Sequence, residues 1–156
     1  MDLRQFLGDL VAQLTMEQQA KGVSIRTELD ADDLLIDPDK LPPLALFAVE
    51  AISNAQKHAL AHRGGALRVT FFVQNDEAEL SIGDDGPGGE PEPPKEGGVG
   101  RVLMSAFARQ LHGRMETTIN DGGGVTVRLS FPTPALGVTK RPAAPKPQAK
   151  SDSAAA

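Results

Sequence analysis

The chain has 156 residues, enough for one ordinary domain with a hydrophobic core but too few for two independent ones. It has no Cys, which excludes disulfides, thiol nucleophiles and Cys-ligated zinc, and its formal net charge of -5 argues against nucleic-acid binding. No apolar run approaches the roughly 20 residues of a membrane span, and MDLRQFLGDL lacks the basic region and apolar core of a signal peptide. We therefore expect a cytoplasmic domain without membrane contact.

The first part of the chain is predicted to form a helix followed by two strands. Apolar residues at 3, 6, 7, 10, 11 and 14 have the spacing of an amphipathic helix over about 3–20, and Asp2 is its expected cap. The alternating segment 23–29 and the apolar run 34–36 predict two strands before the turn DPDK.

A second helix and a hairpin are predicted in the middle of the chain. Pro42 and Pro43 can begin a helix without losing a needed donor, and LALFAVEAISNAQKHALAH contains no helix breaker before Gly64. Residues 67–73 and 78–82 alternate between apolar and polar around the turn QNDE, which predicts a hairpin with one apolar face.

The last part of the domain combines a long loop, a helix and two strands. Residues 83–100 are too rich in Gly and Pro for regular structure, and a loop of this length is usually functional or disordered. A helical stripe over 102–111 ends at Gly113, and 115–119 and 125–131 alternate as strands around the turn NDGGG.

These elements predict an α+β fold, a two-layer α/β sandwich whose mixed, mostly antiparallel sheet carries three helices on one face. The folded domain is expected over residues 1–132, where 12 basic and 20 acidic residues give a net charge of -8. Residues 133–156 are rich in Pro, Ala, Lys and Ser, and four basic residues against one acidic residue give +3. Such a segment cannot bury enough apolar area to offset its ordering entropy, so a disordered tail is predicted.

The second predicted helix carries an unusual set of polar side chains. At about 100° per residue, Asn54, Lys57 and His58 lie within about 80° of Glu50. Small apolar residues point the other way: Ala48, Ile52, Ala55 and Ala59. Apolar residues 46–47 fall near the polar side, so the polar face begins in mid-helix. Such a helix is most often solvated on its polar face, and a binding site is the alternative.

Three glycine segments follow this helix. DDGPG (84–88) ends the hairpin, GGVG (97–100) opens the third helix, and GGG (122–124) precedes the final strand. Alone, DxGxG is a common turn and GGVG a glycine-rich helix start, although a helix start offers N–H groups and a positive dipole end to phosphates. The chain has no GxxxxGK[ST], and GVGRVL lacks the third glycine and the parallel βαβ unit of a dinucleotide fold. P-loop and Rossmann sites are therefore excluded.

The polar helix and the three glycine segments, in this order, resemble the nucleotide site of the GHKL ATPases, the superfamily of gyrase, the heat-shock chaperone, histidine kinases and MutL. QLHGRME, GGGVTVRLSFP and the N-terminal layout most resemble the catalytic ATP-binding domain of bacterial sensor histidine kinases, near the HWE-type group. The resemblance covers about residues 1–132 and implies the Bergerat fold, which is a two-layer sandwich of the predicted kind.

The resemblance assigns roles to the polar helix. The family's N-box corresponds to Glu50, Asn54, Lys57 and His58. The Asn54 carboxamide oxygen is implied to ligate Mg²⁺, a hard cation that prefers oxygen, and the catalytic Glu50 carboxylate to position a metal-bound water or assist proton transfer. Lys57 and His58 are implied to meet the phosphate charge of ATP.

The glycine segments complete the implied ATP site. Asp84 would accept a hydrogen bond from the adenine amino group. Gly86 and Gly88 would let the backbone and the base approach closely. The N–H groups at Gly98 and Gly100, at the start of the third helix, would face the phosphates. The implied cofactors are ATP and Mg²⁺.

Three positions depart from the family pattern. Val125 stands where the third glycine box commonly has Thr, which removes a hydroxyl near the base. Arg101 replaces a usual Leu, and Asp85 replaces a frequent Asn and adds negative charge. These departures predict weaker ATP affinity and leave open a degenerate domain used as a docking module.

The implied partners follow from what the sequence does not contain. Residues 1–156 do not contain the pattern of the dimerising two-helix hairpin with the phosphoacceptor His, and His58, His62 and His112 lack its context. The resemblance therefore implies γ-phosphoryl transfer to a His on a separate dimerisation domain, with a response regulator downstream, and a monomeric isolated domain. An anti-sigma-factor serine kinase, which shares the boxes and a similar chain length, stays open as the alternative.

Overall fold

The structure, a computed structural model, describes residues 1–58, 65–85, 99–120, 124–136 and 139–140. Its helices are α1 (Leu3–Ala20), α2 (Pro42–His58) and α3 (Val99–Gln110). Its strands are β1 (Ile25–Ala31), β2 (Leu34–Leu35), β3 (Gly65–Gln74), β4 (Glu77–Asp84), β5 (Arg114–Ile119), β6 (Val125–Pro132) and β7 (Thr139–Lys140). Short 3₁₀ helices lie at Pro38–Lys40 and Thr133–Leu136. Every predicted helix and strand is present, and the centre of the predicted long loop, 86–98, lies outside the described residues.

Five of the described strands form one mixed sheet in the order β1-β3-β4-β6-β5. β1 and β3 run parallel, with Ile25 paired to Gly65, and the other neighbouring strands are antiparallel. A parallel pair needs a crossover rather than a tight turn, and α2 lies in the connection between β1 and β3. The predicted α+β fold with a mostly antiparallel sheet is confirmed.

One face of the sheet is apolar and covered by helices. Along β4, Ala78, Leu80 and Ile82 are buried and the residues between them are not, because successive side chains of a strand point to opposite faces. α2 contacts both α1 and α3, so the three described helices form one layer. Both layers contribute the largest buried side chains, which include Phe47, Phe71 and Phe131. None of the described helices is both long and apolar enough to span a bilayer.

The opposite face of the sheet is polar and open to solvent. Arg128 of β6 lies 3.8 Å from Glu79 of the adjacent strand β4, and Arg114 of β5 lies 3.8 Å from Glu77 of β4, across the intervening β6. Exposed pairs of this kind contribute little to stability. We refer below to this surface as the outer face and to the helix-covered surface as the inner face.

α1 begins at a capped N-terminus, as predicted. The Gln5 backbone N–H donates to Asp2 Oδ1 at 3.1 Å, which satisfies one of the N–H groups that a helix start leaves unpaired. Asp2 also bridges Leu35, and Met1 and Ile36 exchange two backbone hydrogen bonds. The start of the chain is therefore fixed beside β2.

The end of α3 corrects the role predicted for Gly113. The left-handed residue is His112, with φ 57°, and the N–H groups of His112 and Gly113 donate to Arg109 and Ala108 at 2.9 and 2.8 Å. This is a Schellman ending, in which His112 occupies the position that usually holds glycine. A Cβ at Gly113 would overlap the Ser130 carbonyl oxygen. Gly113 is thus required for close packing on β6.

The segment predicted as a disordered tail contains two short regular elements. After β6 the chain forms the 3₁₀ helix Thr133–Leu136, anchored by the Thr133 N–H donating to the Asp76 carbonyl at 2.9 Å. β7 then pairs antiparallel with β2. A two-residue strand has no readable periodicity, and its backbone hydrogen bonds depend on a distant partner. Residues 141–156 lie outside the described residues, and their disorder stays a prediction.

Candidate nucleotide site

α2 presents a half-buried polar strip. Glu50 and Asn54 are both half-buried, while Ala48 and Ile52 on the opposite side of the helix are fully buried. Half-burial distinguishes these side chains from a fully solvated face, because neighbouring elements flank them. Residues 57–58 form the last turn of α2, and their side chains lie outside the described part of the chain.

The buried surface of α2 is wider than its sequence indicates. Phe47 is completely buried although helical periodicity places it near the polar strip, whereas Leu46 is 46% exposed. The reason is that α2 packs against α3 as well as against the sheet. Periodicity within one helix shows the direction of a side chain but not how many neighbours surround the helix.

Gln56 fixes α2 against α1 and was not identified from the sequence. Its side chain is only 7% exposed, and its Nε2 donates to the Leu14 carbonyl of α1 at 2.9 Å. Buried amides are normally hydrogen-bonded, because an unpaired buried amide is costly. A single Gln on an otherwise apolar side of a predicted helix was the available signal.

Asp84, the last residue of β4, places a buried carboxylate on the inner face. It follows Ala78, Leu80 and Ile82 in the alternation of β4 and is 8% exposed. Its Oδ1 accepts a hydrogen bond from the Val125 backbone N–H at 3.4 Å. A buried carboxylate at the end of an apolar stripe is a specific polar group among apolar neighbours, as binding pockets usually contain.

The glycine before β6 allows this strand to approach Asp84. Gly124 has φ +95°, and a Cβ placed on it would overlap the Asp84 carbonyl oxygen. Both the positive φ and the close approach require the absence of a side chain. The last glycine of the GGG segment therefore shapes the Asp84 end of the sheet, while 121–123 lie outside the described residues.

Asp85 has a structural partner that the sequence did not reveal. Its carboxylate accepts a hydrogen bond from the Ala66 N–H at 2.6 Å, and its own N–H donates to the Ala66 carbonyl at 3.3 Å. This exchange extends the pairing of β4 with β3 beyond Asp84. The acid that departs from the family pattern thus helps to hold the backbone next to Asp84, a role that an Asn side-chain oxygen can also perform.

Chain connections direct the end of α2 and the start of α3 toward the end of the sheet that holds Asp84. Residues 59–64 link the end of α2 to β3, whose first residues pair with the end of β4. Residues 111–113 link α3 to β5, and α3 packs on β5. With so short a link, α3 is expected to run back along β5, with its start toward Ile119. Ile119 pairs with Val125, which donates to Asp84. From these connections we expect the polar strip and the start of α3 to face the end of the sheet that holds Asp84, and this grouping stays a prediction.

The predicted glycine positions are only partly described. Gly100 lies in the first turn of α3, which begins at Val99, where free backbone N–H groups and the positive end of the helix dipole are expected. Gly86, Gly88 and Gly98 lie outside the described residues. Their roles stay predictions.

The oxygen donors of α2 suit a magnesium ion bound together with phosphates. Among the described residues, no three or more His, Cys, Asp and Glu side chains cluster as a metal site. Mg²⁺ at phosphates usually keeps several waters and needs only one or two protein oxygens. Asn54 and Glu50 provide such a donor set on one helix face.

The fold is that of histidine kinase catalytic domains. The histidine kinase domain of the Erythrobacter litoralis EL346 blue-light activated histidine kinase superposes with a TM-score of 0.73 at 23% identity, covering 86% of this chain and 62% of that chain. The catalytic domain of histidine kinase ThkA gives 0.65 at 16% identity, with 85% and 95% covered. Full-length ShkA, solved in complex with AMPPNP, gives 0.70 at 16% identity, with 90% and 31% covered.

Sequence similarity identifies the family. The family model described as "Histidine kinase-like ATPase domain" matches residues 13–131, and the chain belongs to this family. Histidine protein kinase DivJ of Caulobacter vibrioides is 29% identical over 161 residues, which cover 90% of this chain and 26% of that protein. The chain therefore spans about a quarter of the length of this relative. The resemblance to the GHKL ATPases is confirmed, and the HWE-type grouping stays a prediction.

Proposed function

We propose that this chain is the Mg·ATP-binding catalytic domain of a two-component sensor histidine kinase, which donates the γ-phosphoryl of ATP to a His on a separate dimerisation domain. The observation that carries the proposal is the buried Asp84 carboxylate at the end of β4. The order of the elements supports a site there, because it directs the end of α2 and the start of α3 toward this end of the sheet. Family membership supports nucleotide binding of the histidine kinase type. The response regulator that receives the phosphoryl group next is a partner of the same proposal.

The base would bind at Asp84. A carboxylate only accepts hydrogen bonds, so it pairs with the exocyclic amino group of adenine and disfavours a carbonyl at the same position. Because Asp84 is 8% exposed, water competes weakly for this contact. Recognition by one buried, charged acceptor is therefore specific as well as favourable.

The phosphates would lie between α2 and the first turn of α3. Asn54 would hold Mg²⁺ through its side-chain oxygen, and the ion would neutralise phosphate charge and orient the γ-phosphoryl group. Glu50 would position a water molecule or the incoming acceptor, and the N–H groups near Gly100 would meet phosphate oxygens. Lys57 and His58 add cationic charge in the same proposal. Catalysis would consist mainly of positioning and charge stabilisation.

A calorimetric titration with ATP, with and without Mg²⁺, tests this function. We expect Mg-dependent binding in the unaltered chain and a loss of at least about tenfold in Asn54→Ala, because even outer partners of a metal ligand commonly contribute 10- to 100-fold. Ser53→Ala is the matched control, since Ser53 is half-buried on the same helix but is not part of the N-box. Equal ATP affinity in all three proteins would contradict the site.

Transfer is tested separately from binding. The chain is incubated with Mg·ATP and a histidine-containing dimerisation domain, and the expected product is an acid-labile phosphohistidine. Phosphorylation of a serine in an antagonist protein instead would favour the anti-sigma-factor kinase. Absence of ATP and ADP binding would favour a docking module. The proposed domain acts in the cytoplasm, as a monomer when isolated, without nucleic-acid or membrane contact.

A further inference from the structure

A side-chain network on the outer face joins the β5–β6 turn to the backbone of Asp84. Asn120, which follows β5, donates from Nδ2 to the Asp84 carbonyl oxygen at 3.4 Å. Its Oδ1 accepts a hydrogen bond from Thr126 Oγ1 at 2.9 Å, and its backbone N–H donates to the Gly124 carbonyl at 2.9 Å. Both side chains are half-buried. One amide thus connects Asp84, the turn and β6.

Gly83, opposite to Thr126, leaves room for the Thr126 hydroxyl. Thr126 pairs with Gly83 across β4 and β6, and a Cβ on Gly83 would lie 2.8 Å from Thr126 Oγ1. The hydroxyl therefore occupies space that any larger residue at 83 would fill. This arrangement leaves the hydroxyl free to donate to Asn120.

The network supports Asp84 from the side opposite to its carboxylate. Residues 126 and 83 lie on the outer face, whereas the Asp84 side chain is on the inner face, because successive side chains of a strand alternate. Asn120 contacts the Asp84 carbonyl, and Val125 contacts the Asp84 carboxylate. Movement of the backbone at Asp84 would therefore change the direction of the carboxylate.

We infer that Asn120 and Thr126 are positioning residues that direct the Asp84 carboxylate at the exocyclic amino group of the nucleotide base, and so set the preference for adenine. The inference rests on the proposed function. Hydrogen bonds weaken steeply as distance and angle depart from their optimum. A carboxylate held only from the inner face would shift, and its contact with the amino group would weaken while contacts to the phosphates persist.

The test compares two nucleotides that differ only at this group. ATP and purine riboside triphosphate, which lacks the amino group, are titrated with Mg²⁺ into the unaltered chain, Asn120→Ala and Thr126→Val. We expect the unaltered chain to prefer ATP by about 10- to 100-fold, the usual contribution of a hydrogen bond to a charged group. Each variant should lose most of this preference, with unchanged affinity for purine riboside triphosphate.

Two further variants separate positioning from general stability. Thr126→Ser keeps the hydroxyl and should retain the preference for ATP. Thr118→Val removes a half-buried hydroxyl from the residue paired with Thr126 on the neighbouring strand, and it should also retain the preference. Because the two hydrogen bonds share one amide, Asn120→Ala combined with Thr126→Val should match the more affected single variant rather than multiply the losses.

The outcomes separate failure of the proposed function from failure of the positioning inference. If the unaltered chain binds neither nucleotide, the proposed function is wrong. If Asp84→Asn loses the preference but Asn120→Ala and Thr126→Val keep it, the positioning inference is overturned. Equal weakening of both nucleotides in Thr126→Val, with recovery in Thr126→Ser, would also overturn it, because the hydroxyl would then stabilise the site without directing Asp84.

Discussion

The two ends of the proposed site are built in different ways. At the base end, three strands hold the chain around Asp84, through Ala66 on β3, Gly124 at the start of β6, and Asn120 after β5. At the phosphate end, Asn54 stands on a single helix, and the orientation of that helix depends on side-chain packing and on the Gln56 hydrogen bond to α1.

Because of this difference, mutations at the two ends should differ in how they affect protein stability and nucleotide binding. Backbone contacts among strands are part of the fold, so changing the backbone at the base end should affect folding and nucleotide affinity together. A helix surface can lose a functional side chain without losing its buried face. At the phosphate end, affinity should therefore change with little change in the free energy of unfolding. The following predictions, from the largest effect to the smallest, test this comparison.

Gly124→Ala should have the largest effect, on stability and on binding. The new methyl group would overlap the Asp84 carbonyl, and φ +95° is itself strained for alanine, so we expect about 3–4 kcal/mol of destabilisation and weaker ATP binding. Urea unfolding followed by circular dichroism measures the first, and calorimetry the second. Gly22→Ala is the control, because Gly22 has φ +85° with no atom within 4 Å, and should lose only about 1–2 kcal/mol. Equal losses would show that close approach at Asp84 is unimportant.

Asp84→Asn should weaken ATP binding by about 10- to 100-fold while changing stability by less than about 1 kcal/mol. The amide still offers an oxygen to the Val125 N–H, but it removes the charged acceptor and presents a donor in its place. Asp85→Asn, the neighbouring control, keeps an acceptor for the Ala66 N–H and should leave ATP affinity within about twofold. A larger loss of ATP affinity in Asp85→Asn than in Asp84→Asn would show that Asp84 is not the residue that recognises the base.

Gln56→Ala should lower stability by about 1 kcal/mol, the usual net contribution of one hydrogen bond, and Mg·ATP affinity by a few-fold. Its bond to Leu14 fixes the rotation of α2 and thus the direction of the Asn54 side chain. Gln13→Ala, an exposed position on α1, is the control and should change neither property. Loss of stability with fully retained Mg dependence would show that packing alone orients α2.

Val125→Thr should have the smallest effect, a gain in ATP affinity of about two- to fivefold, within the range of one neutral hydrogen bond. It restores the hydroxyl that the family commonly has beside the residue proposed to bind the base. Val127→Thr, two residues along the same inner face and packed against the core, should bring only a loss of stability. No gain at 125 would indicate that the base end works without this hydroxyl.

Much of the fold was predictable because its signals are local. The hairpin was read from alternating residues, and the helices from apolar spacing and the Asp2 cap, all within a few neighbouring residues. The resemblance of the Glu50–His58 segment and of the glycine segments to a known site identified the family. These signals come from residue types that favour a given backbone conformation or a buried position. Contacts with distant residues change such preferences little.

Other features required contacts between distant residues. Phe47 lies near the polar strip by periodicity but is completely buried, and the left-handed residue after α3 is His112 rather than Gly113. The hydrogen bond of Asp85 with Ala66 spans two strands, and its charge had been interpreted only as a departure from the family. A local sequence pattern cannot identify a hydrogen-bond partner that lies 19 residues away.

By itself, the sequence determined the order of the three helices and of β1 to β6, their apolar faces, and the residue types of the proposed site, because periodicity and backbone preference act over a few residues. Only the tertiary structure decided that β1 joins β3 in parallel, that Gln56 ties α2 to α1, and that Asn120 supports Asp84 from the outer face. These are pairings between segments far apart in the chain. These pairings stabilise the protein only after the layers have packed and excluded water from them.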